Sequence, residues 1–538
     1  MTSERKRTFT RRSRAGCRTC RLRHIKCDET PIACKNCVSD GWKCDGYDEI
    51  RLSHPGRGKR SSNSNNVNKS AIATIRTEPS LSIRRIETAL PGTNSEERRG
   101  FAYFQCWTVP KMSGFFDTQL WHSLVLPMSY SERAVTHAVV ALSALHEDIE
   151  ARGVPLSRAE LTNRQQRFAL EQYTRALSAL NARRHSNDPK LQEVILTCCL
   201  LFVVFELLRG QYNDAFVHLH QGLSLVKEYI ESCLSETMLR LHLQSAFFGV
   251  DVSDPYQLTK SEYDDNQDFD NIMDARQHLD RLFQQICCYI AAVEQLPSEG
   301  GGESSSMTRL EVKKMQQSLR IELTSYLHRL NKFESRARGL SDTRCQRAID
   351  LVRLHHRTFS LMLETYIDSE DIIYDLHVNE FGEAVLLAEG IANSFWEENI
   401  PSNYSRPTLL LDMGILPPLI YICLKCPSVV IRRQALQIIR EWPHREGPWD
   451  SNLIAIMANL VLQLEIEMEF QRLCGNTATT ISSASDITYI SSLSRIMNVN
   501  ISLDADQRSA ILKYRTKECG PNEPPFERHI LLDEFDWS

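Results

Sequence analysis

Six cysteines within 28 residues, Cys17, Cys20, Cys27, Cys34, Cys37 and Cys44, are the side chains whose type and spacing could do chemistry. CRTCRLRHIKC is followed, after DETPIA, by CKNCVSDGWKC, so one spacing occurs twice. Close thiols serve disulfides, iron–sulfur clusters or zinc. The N-terminal MTSERKRTFTRRSR is charged from its fourth residue with no apolar stretch behind it, so no secretory signal is expected. In an intracellular chain thiols stay reduced, which argues against a disulfide framework. Ferredoxin spacing sets three cysteines at two-residue gaps, whereas here each close pair waits six residues for its third member. Zinc remains. Tetrahedral zinc takes four ligands, and six thiolates complete two such centres only when two sulfurs are shared. The repeat therefore predicts a binuclear cluster of two Zn2+, with every position filled by sulfur and none open to water or substrate. Such a metal is structural, and folding of this short stretch would depend on it.

The charge around the cysteines is uneven. The chain has 538 residues and a net charge of −5, yet residues 1–60 hold 16 Lys and Arg against 7 Asp and Glu, leaving 47 against 61 for the rest. A basic head on an acidic body points to a polyanion that meets the head alone. Within the head, the first repeat carries Arg18, Arg21, Arg23, His24 and Lys26 with no acid, while the second offsets Lys35 and Lys43 with Asp40. The first repeat is the half expected to face DNA. A short helix after Cys17 would present Arg21, Arg23 and His24 from its far end toward the major groove, where such groups can meet guanine edges, with Arg18, Arg21 and Lys26 read mainly as phosphate contacts. Arg5, Lys6, Arg7, Arg11, Arg12 and Arg14 form a basic arm suited to nuclear import or phosphate contact.

The stretch AGCRTCRLRHIKCDETPIACKNCVSDGWKCDGY, residues 15–47, resembles the fungal Zn2Cys6 binuclear-cluster transcription factors. That resemblance implies bridging roles for Cys17 and Cys34, base reading by Arg23 and His24, CGG triplets as the target, regulation of RNA polymerase II transcription, and residence in the nucleus. YFQCWTVPKMSGFFDTQLWHSLVLPMSYSERAVTHAVVALSALHE, residues 103–147, and LDMGILPPLIYICLKCPSVVIRRQALQIIREWPHREGPWDS, residues 411–451, add a second resemblance, to the fungus-specific transcription-factor domain. It implies a helical regulatory domain that controls the output of the head, with a small-molecule effector and coactivators as partners besides double-stranded DNA, and no catalytic residues.

The elements that must carry the head read as mainly all-α. We expect a basic arm at 1–16, the zinc-cluster DNA-binding domain at 17–44, a linker at 45–98 rich in Ser, Asn, Gly and Pro, and an all-helical body at 99–538. Helical spacing places helices over 190–208, 213–230, 309–331, 343–366, 380–396, 428–441 and 450–473, and polar insertions at 251–270 and 297–306 read as loops. The linker shows no heptad, because its Ile and Leu positions do not hold a 3.5 spacing and Pro79 interrupts them, so a homodimer would need another interface. The longest apolar run, VILTCCLLFVVFELL, contains Glu206 and falls short of a membrane span.

Catalysis finds no footing. His218 and His220 point apart on a helix, Cys423 and Cys426 read as core thiols, and His355 and His356 as one surface and one core residue. No nucleophile elbow, phosphate loop or dinucleotide glycine pattern occurs. A DNA-binding regulator explains head and body together, better than an enzyme with a zinc appendage or a scaffold. The C-terminal HILLDEFDWS mixes acids with bulky apolar residues and reads either as an activation tail or as a final packed element.

Overall fold

The computed structural model describes residues 17, 19–20, 27–28, 34–39, 93–116, 119–154, 163–226, 233–245, 267–296, 308–337, 342–366, 371–397, 406–474, 483–503, 509–517, 519 and 523–532. The basic arm, residues 45–92 of the linker and both polar insertions except 267–270 fall outside them. The chain forms two compact units, Met1–Ile86 and Glu87–Ser538.

The larger unit is built from helices, and its first one starts inside the expected linker. Ser95–Tyr103 is initiated by a capping box: the Asn94 side chain accepts from Glu97 N–H at 2.8 Å, and Glu97 accepts from Asn94 N–H at 2.9 Å. Orphan donors at a helix start are satisfied this way by short polar side chains, so the NSEE stretch opens the body rather than closing the linker.

The Leu191–Leu208 helix is apolar on every side because the helices Arg133–Arg152, Arg164–Ala182 and Tyr212–Val226 surround it. Contrary to the expectation that this run falls short of a span, among the described residues it is the one helix long and apolar enough to cross a membrane, and 72% of it is buried within this unit. It ends where Gly210 turns to φ 71°, allowing Gln211 N–H to reach Glu206 O at 2.9 Å. The Arg445 side chain adds a cap, donating to Leu207 O at 3.0 Å and to Leu208 O.

Two large apolar cores and two small ones share this unit. The first gathers residues from Phe101 to Leu241, the second residues from Phe115 to Ala458. Strand β1, Leu409–Leu410, runs between them: Leu409 and Leu411 enter the first core and Leu410 the second, as alternation along an extended chain requires. β1 pairs in parallel with β2, Arg445–Glu446, which turns through Gly447 at φ 53° into antiparallel β3, Trp449–Asp450.

The seven helices expected from spacing are all present, with ends within about four residues except that Arg309–Ala337 runs on past the expected 331. Two differences stand out. Ile272–Glu294 is a further long helix, burying Ala275, Leu279, Leu282, Phe283, Ile286 and Tyr289. The body is also not all-helical to its end. β4 (Met497–Leu503), β5 (Ser509–Arg515) and β6 (Phe526–Leu531) form an antiparallel meander. Ala510, Leu512, Ile530 and Leu532 pack it on Ile456 and Leu460 of the Ser451–Cys474 helix. The His529–Leu532 half of the expected tail is therefore a packed element, because Ile530 and Leu532 have a helix to cover, while Leu531 stays exposed. Residues 533–538 lie outside the described residues.

Candidate metal centre

In the smaller unit Cys17, Cys20, Cys27, Cys34 and Cys37 form a buried cluster with exposures of 0 to 5%. The sulfurs of Cys17 and Cys34 are 3.6 Å apart, those of Cys17 and Cys37 3.8 Å, Cys20 and Cys34 3.5 Å, and Cys20 and Cys37 3.7 Å. Cys27 joins them, its sulfur within 4.8 Å of those of Cys17, Cys20 and Cys34. Among the described residues this is the one grouping of three or more potential ligands so close.

Local backbone structure sets these positions, and it does so twice. The N–H of Cys20 donates to Cys17 Sγ at 3.4 Å, and the N–H of Cys37 donates to Cys34 Sγ at 3.3 Å. Each two-residue gap is thus a turn that folds the second cysteine back over the first. Cys17 N–H also reaches Cys27 Sγ at 3.3 Å, closing the first repeat. Helix Lys35–Ser39 begins directly after Cys34, and the Asp28 carboxylate caps it, accepting from Lys35 N–H at 3.1 Å and Asn36 N–H at 3.3 Å. Asp28 thereby locks the second repeat to the end of the first.

The donor set fits zinc. Two sulfurs on one tetrahedral zinc, each about 2.3 Å from it, lie about 3.8 Å apart, close to the separations found. Five desolvated sulfurs sharing one small volume cannot all ionise without a cation among them, and the unit's buried described side chains besides the cysteines amount to Thr19. Cys44, Arg18, Arg21, Arg23, His24 and Lys26 lie outside the described residues.

The other candidate groups resolve as structure. His218 Nε2 meets the Tyr173 hydroxyl at 2.9 Å, while His220 is exposed on the far side of its helix. Cys423 and Cys426 are buried, and burial pushes their thiols up to about 12 and about 11, which makes them unreactive. His355 and His356 correct an expectation, since both are buried. Their helix, Thr343–Thr365, is enclosed on two sides, and His355 Nε2 donates to Gly414 O at 2.7 Å while His356 Nε2 donates to Leu323 O at 2.8 Å.

Comparison with known proteins gives the same two regions. The family model described as the fungal Zn(2)-Cys(6) binuclear cluster domain matches residues 15–53, and the fungal specific transcription factor domain matches residues 101–370, half of the chain. The chain belongs to the fungal-specific transcription factor family. Relatives of this fungal regulator include the aspercryptin biosynthesis cluster-specific transcription regulator atnN of Emericella nidulans, 28% identical over 228 residues, which is 40% of this chain and 35% of that one. Transcription regulator lscL of Purpureocillium lilacinum is 28% identical over 211 residues, 39% of this chain and 48% of that one. Adhesion and hyphal regulator 1 of Candida albicans is 58% identical over 41 residues, 8% of this chain and 6% of that one. The matches with atnN and lscL thus span a third to a half of those relatives' lengths. No solved structure matches the regulator.

Proposed function

We propose that the regulator binds promoter DNA in the nucleus through a two-zinc, six-cysteine head that reads CGG-type triplets, and that its helical body controls RNA polymerase II transcription. Bound zinc supplies the cross-links that a stretch this short cannot replace with an apolar core. Cys17 and Cys34 bridge the two metals, and Cys20, Cys27, Cys37 and Cys44 complete the set. The observation that carries this reading is the packing of sulfurs at 3.5 to 3.8 Å in two like turns, with Cys17 and Cys34 each accepting an N–H from the cysteine three residues on. With every position filled by sulfur, bound zinc would hold the head's residues in place and would offer no open position for chemistry.

In this reading Arg23 and His24 meet base edges while Arg18, Arg21 and Lys26 hold phosphate, with the arm at 1–16 adding non-specific contact. The domain limits are 17–44 for the head, a linker ending near Asn94, and the body after it. A small effector acts on the body, and the C-terminal acids and aromatics contact coactivators. Selection from random duplex DNA with the zinc-loaded full chain tests this directly. Enrichment of CGG-containing sites is expected, and recovery of no common sequence would overturn it.

A further inference from the structure

The helices Val429–Glu441 and Ser451–Cys474 leave between them an open groove of about 720 Å3. The buried Leu436 and Leu462 line it with Ile466, and the exposed Arg433 and Arg440 of the first helix line it with Asn459 of the second. Residues 61–538 carry more acids than bases, 61 against 47, yet this groove sets two arginines against one acid, Glu441. It is a groove with a narrow apolar floor and a polar rim, in which Gln437, Asn459 and Gln463 stand with the two arginines and Glu441.

The described chain ends against one of the two helices that wall this groove. Ile530 and Leu532, at the end of β6, pack with Ile456 and Leu460. On a helix Ile456 adjoins Leu460 at i+4 and Asn459 at i+3, so the stripe under the sheet borders the stripe that walls the groove. β6 and β4 are the two edge strands, and β4 enters the sheet from Ile496, whose N–H is held by Glu465 on another side of that helix. The next residues are Asp533, Glu534, Phe535, Asp536 and Trp537. Six residues span up to about 20 Å, more than the roughly 10 to 12 Å width of a helix.

We propose that this groove seats the chain's own C-terminal segment, with Phe535 and Trp537 on Leu436, Leu462 and Ile466 and the flanking carboxylates facing Arg433 and Arg440. Tethering makes the contact intramolecular, so modest pairing suffices to keep it formed. Its regulatory consequence rests on the activating reading above: a seated tail is withheld from a coactivator, and whatever opens the groove releases it.

The test places a photoreactive benzoyl-phenylalanine at position 535 of the zinc-loaded full chain and maps cross-links by mass spectrometry. Intramolecular cross-links to 433–441 and 459–466 are expected. Arg433→Glu with Arg440→Glu should cut their yield roughly fivefold or more, and adding Asp533→Lys and Asp536→Lys should restore it. Unchanged far-UV dichroism checks folding, and Arg433→Gln with Arg440→Gln replaces the reversal if that variant unfolds. Cross-links elsewhere on the chain, between two copies, or absent altogether would overturn the seat, as would a yield indifferent to both charge changes. Fusing residues 520–538 to an unrelated DNA-binding domain separates the two readings: no reporter output removes the activating role and leaves the seat to be decided by the cross-links.

Discussion

Arg432 and Glu465 form an ion pair in which neither side chain has any exposure to solvent, 0% for each. Arg432 also donates to Cys426 O, and the second carboxylate oxygen of Glu465 accepts from Ile496 N–H at 2.8 Å. The pair therefore ties two helices to the segment that enters the C-terminal sheet. A buried pair gains little over apolar packing, but removing one partner strands the other charge. Arg432→Met should lower stability by about 3 to 5 kcal/mol, and Arg432→Met with Glu465→Leu should recover a large part of it. Urea denaturation followed by circular dichroism reads both, and equal losses in single and double variants would sink the idea.

The His355 side chain makes stability fall on acidification. Burial lowers its pKa from 6.5 to about 4, with Arg276 acting in the same sense and the bond to Gly414 O, Glu446 and Asp412 opposing. Between about pH 6.5 and 4 the unfolded chain binds a proton that the folded one refuses, so this contribution is full above pH 6.5 and drains away as pH falls. Thermal melts of His355→Gln should show a shallower acid slope over that window than the wild type, whatever the variant costs at neutral pH.

Zinc removal should unfold the head and leave the body. A strong chelator is expected to abolish DNA binding while most of the helical dichroism persists, because the body's cores contain no cluster cysteine. Native mass spectrometry should count two zincs per chain. Cys20→Ala and Cys37→Ala should each lose binding, and a variant that kept full affinity would exclude that cysteine as a ligand.

Base reading and phosphate contact separate by their salt and sequence dependence. Arg23→Ala should cost about 1 to 3 kcal/mol on the selected site and relax its sequence preference. Arg18→Ala should weaken all sequences alike and lower the salt slope by about one. Titrations on selected and scrambled duplexes at several salt concentrations distinguish them, and an unchanged motif with Arg23→Ala would move the reading role elsewhere.

Much of this molecule is legible from local pattern. The cysteine repeat announces the cluster because metal ligands need fixed spacing, and the long helices announce themselves where one face is apolar. What pattern misses is decided by neighbours. Ile272–Glu294 carries a clear stripe from Ala275 to Tyr289, but it follows directly on a polar stretch that draws the eye to a loop. MNVNISL alternates strictly, Met497, Val499, Ile501 and Leu503 against Asn498, Asn500 and Ser502, so β4 is legible as a strand, whereas SAILKYR and FERHIL bury Ala510, Leu512 and Ile530 on a single helix and carry apolar Ile511 and Leu531 on the other face, which blurs their alternation. His355 and His356 diverge by about 100° around their helix, which suggests one inside and one outside until a second layer covers both. Asp28 was visible as a residue but not as a cap, since its partners lie seven and eight positions later.

The cap on the Leu191–Leu208 helix has a consequence for the order of synthesis. Its last carbonyl is met by a guanidinium 237 residues further along the chain. At roughly 5 to 20 residues per second, a ribosome needs on the order of 10 to 50 s after making this helix to deliver Arg445. Throughout that interval the most apolar segment of the protein is a nascent one with an unfinished end, the kind of substrate that chaperones hold. A transcript cut short before Arg445 would release it in that condition, so quality control should clear such fragments rather than let them accumulate as partial regulators.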